Sequence, residues 1–392
     1  MRLAWNVFAT TGTSQGHQYD CVYIKEGCMS PLIRSQDLTV ITLQKASFTS
    51  ALSMASVTHP RIMAAIALLF CFLMASQAGA QVGVCYGMVG NNLPPPAEVV
   101  ALYRHRNIGR MRIYGTDAAT LQALRRSGIE LILDVPRQDL QRLASTPSAA
   151  ADWVQRHVSA YWPDVRFRYI AVGNELIPGA AEAQFVLPAM RNVYAALSSA
   201  GLQSSVKVST AVDTGVLGRS YPPSAGEFSA AAGGYMGPIL QFLATTGAPL
   251  LANVYPYFAY AGNPRDISLP YALFTAPGTV VSDAPYTYQN LFDAILDSLH
   301  AALGRAGGAN VAVVVSESGW PSAGGTAATP DNAQAYNQNL IRHVARGTPR
   351  RPGRAIETYV FAMFNENNKA PGIERNFGLF YPTKQPVYPI NF

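Results

Sequence analysis

From residue 82 onward the chain alternates between two hydrophobic patterns. Short, almost uninterrupted apolar runs rich in β-branched residues fall at 82–86, 110–114, 131–135, 169–173, 206–210, 250–255, 311–316 and 358–364. Longer stretches lie between them, at 96–106, 118–127, 147–161, 186–200, 235–246, 291–305 and 333–346, with apolar residues recurring at helical spacing. The longer stretches predict helices. The short runs predict strands buried on both faces, which belong in a parallel sheet. Eight such units predict an α/β fold of the (β/α)8 barrel type, commonly built from ~250 residues before insertions. An open doubly wound sheet competes, but it usually carries a glycine-rich phosphate loop after its first strand. Val84-Cys85-Tyr86-Gly87-Met88-Val89-Gly90 has no such loop. The pattern therefore predicts one barrel domain over residues 81–392, with a groove at the C-terminal rim of its strands.

A different pattern precedes it. Residues 62–76 are apolar throughout and are followed by Ala78-Gly79-Ala80. A short apolar core ended by a small-x-small triplet predicts a secretory signal peptide at 63–80, with Gln81 as the first mature residue. The run is too short for a membrane span of ~20 residues. Residues 1–62 show no clear period. The expectation is that translation begins at Met54 or Met63 and that this extension is absent from the mature protein. A transit peptide is the alternative. Met54 would supply His59 and Arg61 as the basic segment ahead of the apolar core.

Composition narrows the function. The net charge of +6 over 392 residues is spread without a long basic run, so no nucleic-acid partner is expected. Of the four cysteines, Cys21, Cys28 and Cys71 lie ahead of the cleavage point, leaving Cys85 as a buried free thiol. The chain ends at Phe392 without a hydrophobic tail, so no membrane anchor is expected. The leader and the composition point to a secreted, extracellular monomer. His105, His157, His300 and His343 are not at metal-ligand spacing, and no Gly-x-Ser-x-Gly elbow or phosphate loop occurs. No metal or cofactor is expected.

Two glutamates carry the chemistry. Glu175 ends the apolar run Phe167–Asn174, and Glu317 ends the run Val311–Ser316. In a barrel these are the ends of the fourth and seventh strands, so both face the rim where barrel enzymes do chemistry. Two carboxyls there suit hydrolysis of a sugar bond, one donating a proton and the other attacking the anomeric carbon. Asn174, beside Glu175, can hydrogen-bond a sugar 2-hydroxyl. Taken alone, Glu175 also reads as a surface loop residue. A third cluster follows strand eight: Glu366, Lys369 and Glu374. A lysine between two glutamates can hold a carboxylate network, or form a solvated ion pair of little value. Aromatic residues gather at strand ends: Tyr86, Tyr114, Tyr255, Tyr257, Phe258, Trp320, Phe364 and Phe377. Flat rings suit a saccharide groove, although core packing is the commoner role of any one of them. At least one of Tyr255 and Tyr257 is expected in the cleft. Asn253 begins the same segment.

Five strings resemble a known family: Val-Gly-Val-Cys-Tyr-Gly at 82–87, Val-Gly-Asn-Glu at 172–175, Asn-Val-Tyr-Pro-Tyr at 253–257, Ser-Glu-Ser-Gly-Trp-Pro-Ser at 316–322 and Phe-Ala-Met-Phe-Asn-Glu-Asn at 361–367. They are similar to the plant endo-β-1,3-glucanases of glycoside hydrolase family 17, which include pathogenesis-related glucanases. The resemblance spans residues 81–392. It implies a retaining mechanism, with Glu175 matching the acid/base, Glu317 the nucleophile, and Glu366, Lys369 and Glu374 the accessory charged residues. It implies β-1,3-glucan as substrate and a place in the apoplast or cell wall rather than the vacuole, and leaves plant defence, wall remodelling and callose turnover as alternative settings. A mixed-linkage β-1,3;1,4-glucanase shares the same strings. A catalytically silent glucan-binding wall protein is the rival from another class.

Overall fold

The computed structural model describes residues 82–392; the expected leader at 63–80 and the extension at 1–62 lie outside the described residues. Eight parallel strands close into a barrel: β1 (Val82–Tyr86), β2 (Arg110–Ile113), β3 (Glu130–Val135), β4 (Arg166–Asn174), β5 (Lys207–Asp213), β6 (Leu250–Asn253), β7 (Val313–Ser318) and β8 (Thr358–Val360). Each strand pairs with its neighbours in the chain, and β8 pairs with β1, so the sheet has no free edge. The predicted fold and all eight strands are present. Leu131, Ile132 and Leu133 are consecutive and fully buried, as expected of a strand covered on both faces.

Strand ends differ from the apolar runs. β7 extends to Ser318, which puts Glu317 inside the strand. β8 is regular only to Val360, although two of the next three backbone donors still reach the neighbouring strands β7 and β1. Phe361 donates to Ser318, Ala362 to Phe377 and Met363 to Cys85.

Outer helices start where a side-chain oxygen takes up a free backbone N–H. Asp117, Ser229, Asn290 and Thr329 cap the helices Ala118–Leu124, Ala230–Thr246, Leu291–Arg305 and Pro330–His343. The predicted helix at 147–161 divides into Pro147–Val154 and a wider turn at Gln155–Ser159.

The apolar pattern does not disclose an insertion after β6. It holds the short helices Pro256–Gly262 and Leu269–Ala272 and the hairpin Val281–Asp283/Tyr286–Tyr288. The adjoining helix Leu291–Arg305 is buried on every side from Leu291 to Leu303. Gly226 packs against the helix so closely that a side chain there would collide with the Ser298 carbonyl. Arg305 donates to the carbonyls of Gly226 and Ser224 and fastens this crossing.

The N-terminal end of the barrel is closed by ions. Arg110 Nε lies 2.9 Å from Glu130, and Arg168 Nη2 lies 2.7 Å from Glu357. Tyr169 and Tyr359 donate to the same Glu357 at 3.1 and 3.0 Å.

Candidate active site

The other end is open. β4 changes register against β5 between Ala171 and Asn174, and β7 changes register against β6 between Val315 and Glu317. A bulge re-aims the residues beyond it, and both bulges precede a carboxylate. Glu175 sits at φ +55°, a left-handed conformation uncommon outside glycine. Such a conformation costs about 1 kcal/mol or more and persists only where the surroundings hold it. Its N–H is held by the Ala211 carbonyl at 2.9 Å.

The two glutamates open into one cleft of about 400 Å³. Glu317 is 5% exposed and fully engaged. Its Oε1 accepts from the Tyr114 hydroxyl at 2.7 Å and from Arg112 Nη1 at 3.0 Å; its Oε2 accepts from the Tyr255 hydroxyl at 2.7 Å. Burial raises both tyrosine pKa values well above the ordinary range, so each remains a donor.

Arg112, on β2 and fully buried, organises the floor. Nε and Nη2 grip Asp134 at 3.1 and 2.7 Å, Nη1 reaches Asn253, and Nη2 reaches Asn174 at 2.9 Å. Burial alone would lower the Arg112 pKa; Asp134, Tyr114 and Glu317 together outweigh it and hold the pKa well above its ordinary value. Asn253 then links the two carboxyls. It accepts from Arg112 and Ser316 and donates to Asn174 Oδ1 at 3.0 Å and to Glu175 Oε1 at 2.8 Å.

Glu175 is treated differently from Glu317. Burial and the nearby Glu317 charge push its pKa up to about 7, against the Asn253 hydrogen bond and the distant pull of Arg112. One carboxyl therefore holds a proton near neutrality while its partner is pinned by three donors. That asymmetry suits a reaction needing a proton donor and a second carboxyl across a short gap.

Further along the cleft, Lys369 lies 3.1 Å from Glu366 and 4.0 Å from Glu374, with its ammonium 4.4 Å from the centre of the Phe361 ring. Glu366 is buried and accepts from the Val89 N–H at 2.8 Å. Gly87 gives it room, since a side chain there would strike the carboxylate.

Of the residues singled out in the sequence, Tyr114, Asn174, Glu175, Asn253, Tyr255, Phe258, Glu317, Glu366, Lys369, Glu374 and Phe377 line the cleft. Tyr86, Tyr257, Trp320 and Phe364 are buried and do not line it. Tyr86 packs edge-on against Phe364 at 6.2 Å, and Tyr257 against Trp320 at 5.0 Å. Trp320 spends its indole N–H on the Ala327 carbonyl. These rings form the layer behind the cleft wall. Tyr255 precedes the helix Pro256–Gly262 and Tyr257 lies inside it. The helical turn carries Tyr257 away from Tyr255's direction.

Sequence reading missed Arg112, Asp134, Ser316, Asp213 and Phe361. A usable signal existed for the first two: a charge within a buried strand run needs a buried partner. Among the described residues no helix is long and apolar enough to cross a membrane.

The family model for glycosyl hydrolases family 17 matches residues 82–392. The chain is 59% identical over 329 residues to a glucan endo-1,3-beta-glucosidase of Vitis vinifera, covering 82% of this chain and 95% of that protein. It is 56% identical over 337 residues to a Nicotiana tabacum protein named a basic vacuolar isoform of the same enzyme, covering 84% and 91%. A solved structure, described as that of two plant beta-glucan endohydrolases with distinct substrate specificities, superposes with a TM-score of 0.77 at 55% identity, covering 79% of this chain and all of that one.

Proposed function

The chain belongs to glycosyl hydrolases family 17, and from that premise we propose that it is an endo-hydrolase of 1,3-β-D-glucosidic linkages acting with retention of configuration. The observation that carries this is the inequality of the two cleft carboxyls: Glu175 holds its proton up to about pH 7, and Glu317 is fixed by Tyr114, Arg112 and Tyr255.

In the first step Glu317 attacks the anomeric carbon while Glu175 gives its proton to the departing glycosidic oxygen. The product is a glycosyl ester on Glu317. In the second step the ionised Glu175 takes a proton from water, whose oxygen displaces Glu317 and restores both groups. One water is consumed per linkage, and no metal or cofactor takes part. Asn174 Oδ1 is occupied by Arg112 and Asn253, so its amide N–H groups are left for the sugar 2-hydroxyl. Phe258 and Phe377 offer apolar faces to the sugar rings, and Glu366, Lys369 and Glu374 offer polar contacts.

The polymer partner is a β-1,3-glucan of the callose, laminarin or fungal-wall type, bound by a monomer. Residues 63–80 act as a leader that is removed, and residues 1–62 are absent from the mature protein. Secretion is the first destination; the tobacco relative's name favours the vacuole as the second. Mixed-linkage β-1,3;1,4-glucan is the second substrate reading; the solved neighbour is described as two β-glucan endohydrolases that differ in substrate specificity.

Reducing-end release from the two polymers by the purified protein tests the assignment. Release from β-1,3-glucan alone supports it. Release mainly from the mixed-linkage polymer reassigns the substrate and keeps the mechanism. Release from neither by folded protein brings forward the silent binding protein.

A further inference from the structure

Asp213 ends β5, the strand between Glu175 and Asn253. Its Cα is paired with that of Asn253 across β5 and β6, and Glu175 bonds through its N–H to Ala211 on the same strand. The side chain is half-buried and lines the cleft with Thr214 and Gly215. Oδ1 accepts from the Gly215 N–H at 2.8 Å, which fixes the direction of the carboxylate. Gly215 permits this turn, because a Cβ there would lie 2.9 Å from that oxygen. Among the described residues, Oδ2 accepts from no protein group and no cation pairs with it. The contrast with Glu317 and Glu366 is plain: both are held by side-chain cations, and Asp213 is not.

A half-buried carboxylate with a spare acceptor is satisfied when a ligand brings a donor. The ligand of this cleft is rich in hydroxyl donors, and a carboxylate accepts two of them readily. We propose that Asp213 is a substrate-binding residue, accepting hydroxyl hydrogen bonds from the glucosyl unit seated beside Glu175. The inference rests on the glucanase reading above. It assigns the fifth strand a direct contact with sugar, in addition to the carboxyls of strands four and seven. Its charge also adds to burial and Glu317 in keeping the proton on Glu175, against Asn253 and Arg112.

Calorimetric binding of a β-1,3-gluco-oligosaccharide to the Glu317→Gln protein, with and without Asp213→Ala, separates binding from turnover. Asp213→Ala should weaken binding about tenfold or more, as expected for lost hydrogen bonds to a charged group. Equal affinity of the two proteins would overturn the inference. No binding by Glu317→Gln alone would overturn the glucanase reading, and this inference with it. Asp213→Asn in the otherwise unaltered protein keeps the acceptor used by Gly215 and guards against misfolding. It should raise KM about threefold or more while changing kcat less. An unchanged KM would overturn the inference.

Discussion

The two ends of the barrel hold clusters of arginines and carboxylates, half-buried at one end and buried at the other, and one strand supplies both. β2 sends Arg110 to the N-terminal end and Arg112 to the C-terminal end. Among the half-buried groups at the N-terminal end, two arginines meet two glutamates, while the exposed Arg166 reaches Glu130 at 3.9 Å and Tyr169 and Tyr359 fill the remaining positions around Glu357. At the C-terminal end, Arg112 faces both Asp134 and Glu317, and Glu175 lies beyond an asparagine bridge. The balanced cluster needs nothing further. In the unbalanced one, burial and the Glu317 charge leave a proton on Glu175. The same residue types serve structure where charge is matched and chemistry where it is short.

The largest effect separating the ends is expected from Glu317→Gln. Turnover should fall at least ~10⁴-fold, because the attacking carboxylate is gone. The far-ultraviolet spectrum and melting temperature should stay near those of the unaltered protein. Activity within tenfold of it would remove Glu317 from the role of nucleophile.

Glu175→Gln comes next, with a loss of ~10²–10⁴-fold, the usual worth of a general acid. It also carries a pH signature. The folded pKa of about 7 lies above the ordinary 4.5, so the proton is held more tightly in the folded protein. Stability from this group is complete below the ordinary value and is lost as pH rises through the folded one. The neutral glutamine avoids that loss, so its melting temperature should exceed that of the unaltered protein at pH 8 and match it near pH 4. The gain is on the order of 3 kcal/mol. In the unaltered enzyme, kcat/KM should decline as pH passes about 7. A profile flat to pH 9 would contradict the proton assignment.

Lys369→Met probes the smaller cluster on the cleft. Losing the cation between Glu366 and Glu374 should lower kcat/KM about tenfold, measured on polymer. The counterpart at the other end is Glu357→Gln. It should cost on the order of 2 kcal/mol in denaturant unfolding by weakening the grip on Arg168, with kcat within twofold. A large fall in kcat would break the division between the ends.

Much of this was legible in the chain. Uninterrupted apolar runs disclosed the parallel barrel, and the barrel placed Glu175 and Glu317 on one rim although 142 positions separate them (317 − 175). Hydrophobic period speaks to burial and not to which buried ions meet. Arg112 and Asp134 sit inside runs that read as strands, and their pairing appears only once β2 lies beside β3 in register. Aromatic positions were harder still. Trp320 and Tyr257 resemble cleft residues in composition, yet the course of the backbone beyond each strand, for Tyr257 the helical turn Pro256–Gly262, decides between wall and backing layer. The bulges in β4 and β7 ahead of the two glutamates likewise leave no period to read.

The most direct measurement is covalent trapping. The purified protein would be incubated with a 2-deoxy-2-fluoro β-1,3-gluco-oligosaccharyl fluoride, digested, and the labelled peptide sequenced by mass spectrometry. The account predicts one sugar ester per chain, carried by Glu317, with inactivation in step with labelling. A label on Glu175 or elsewhere, or inactivation without any covalent adduct, would contradict it.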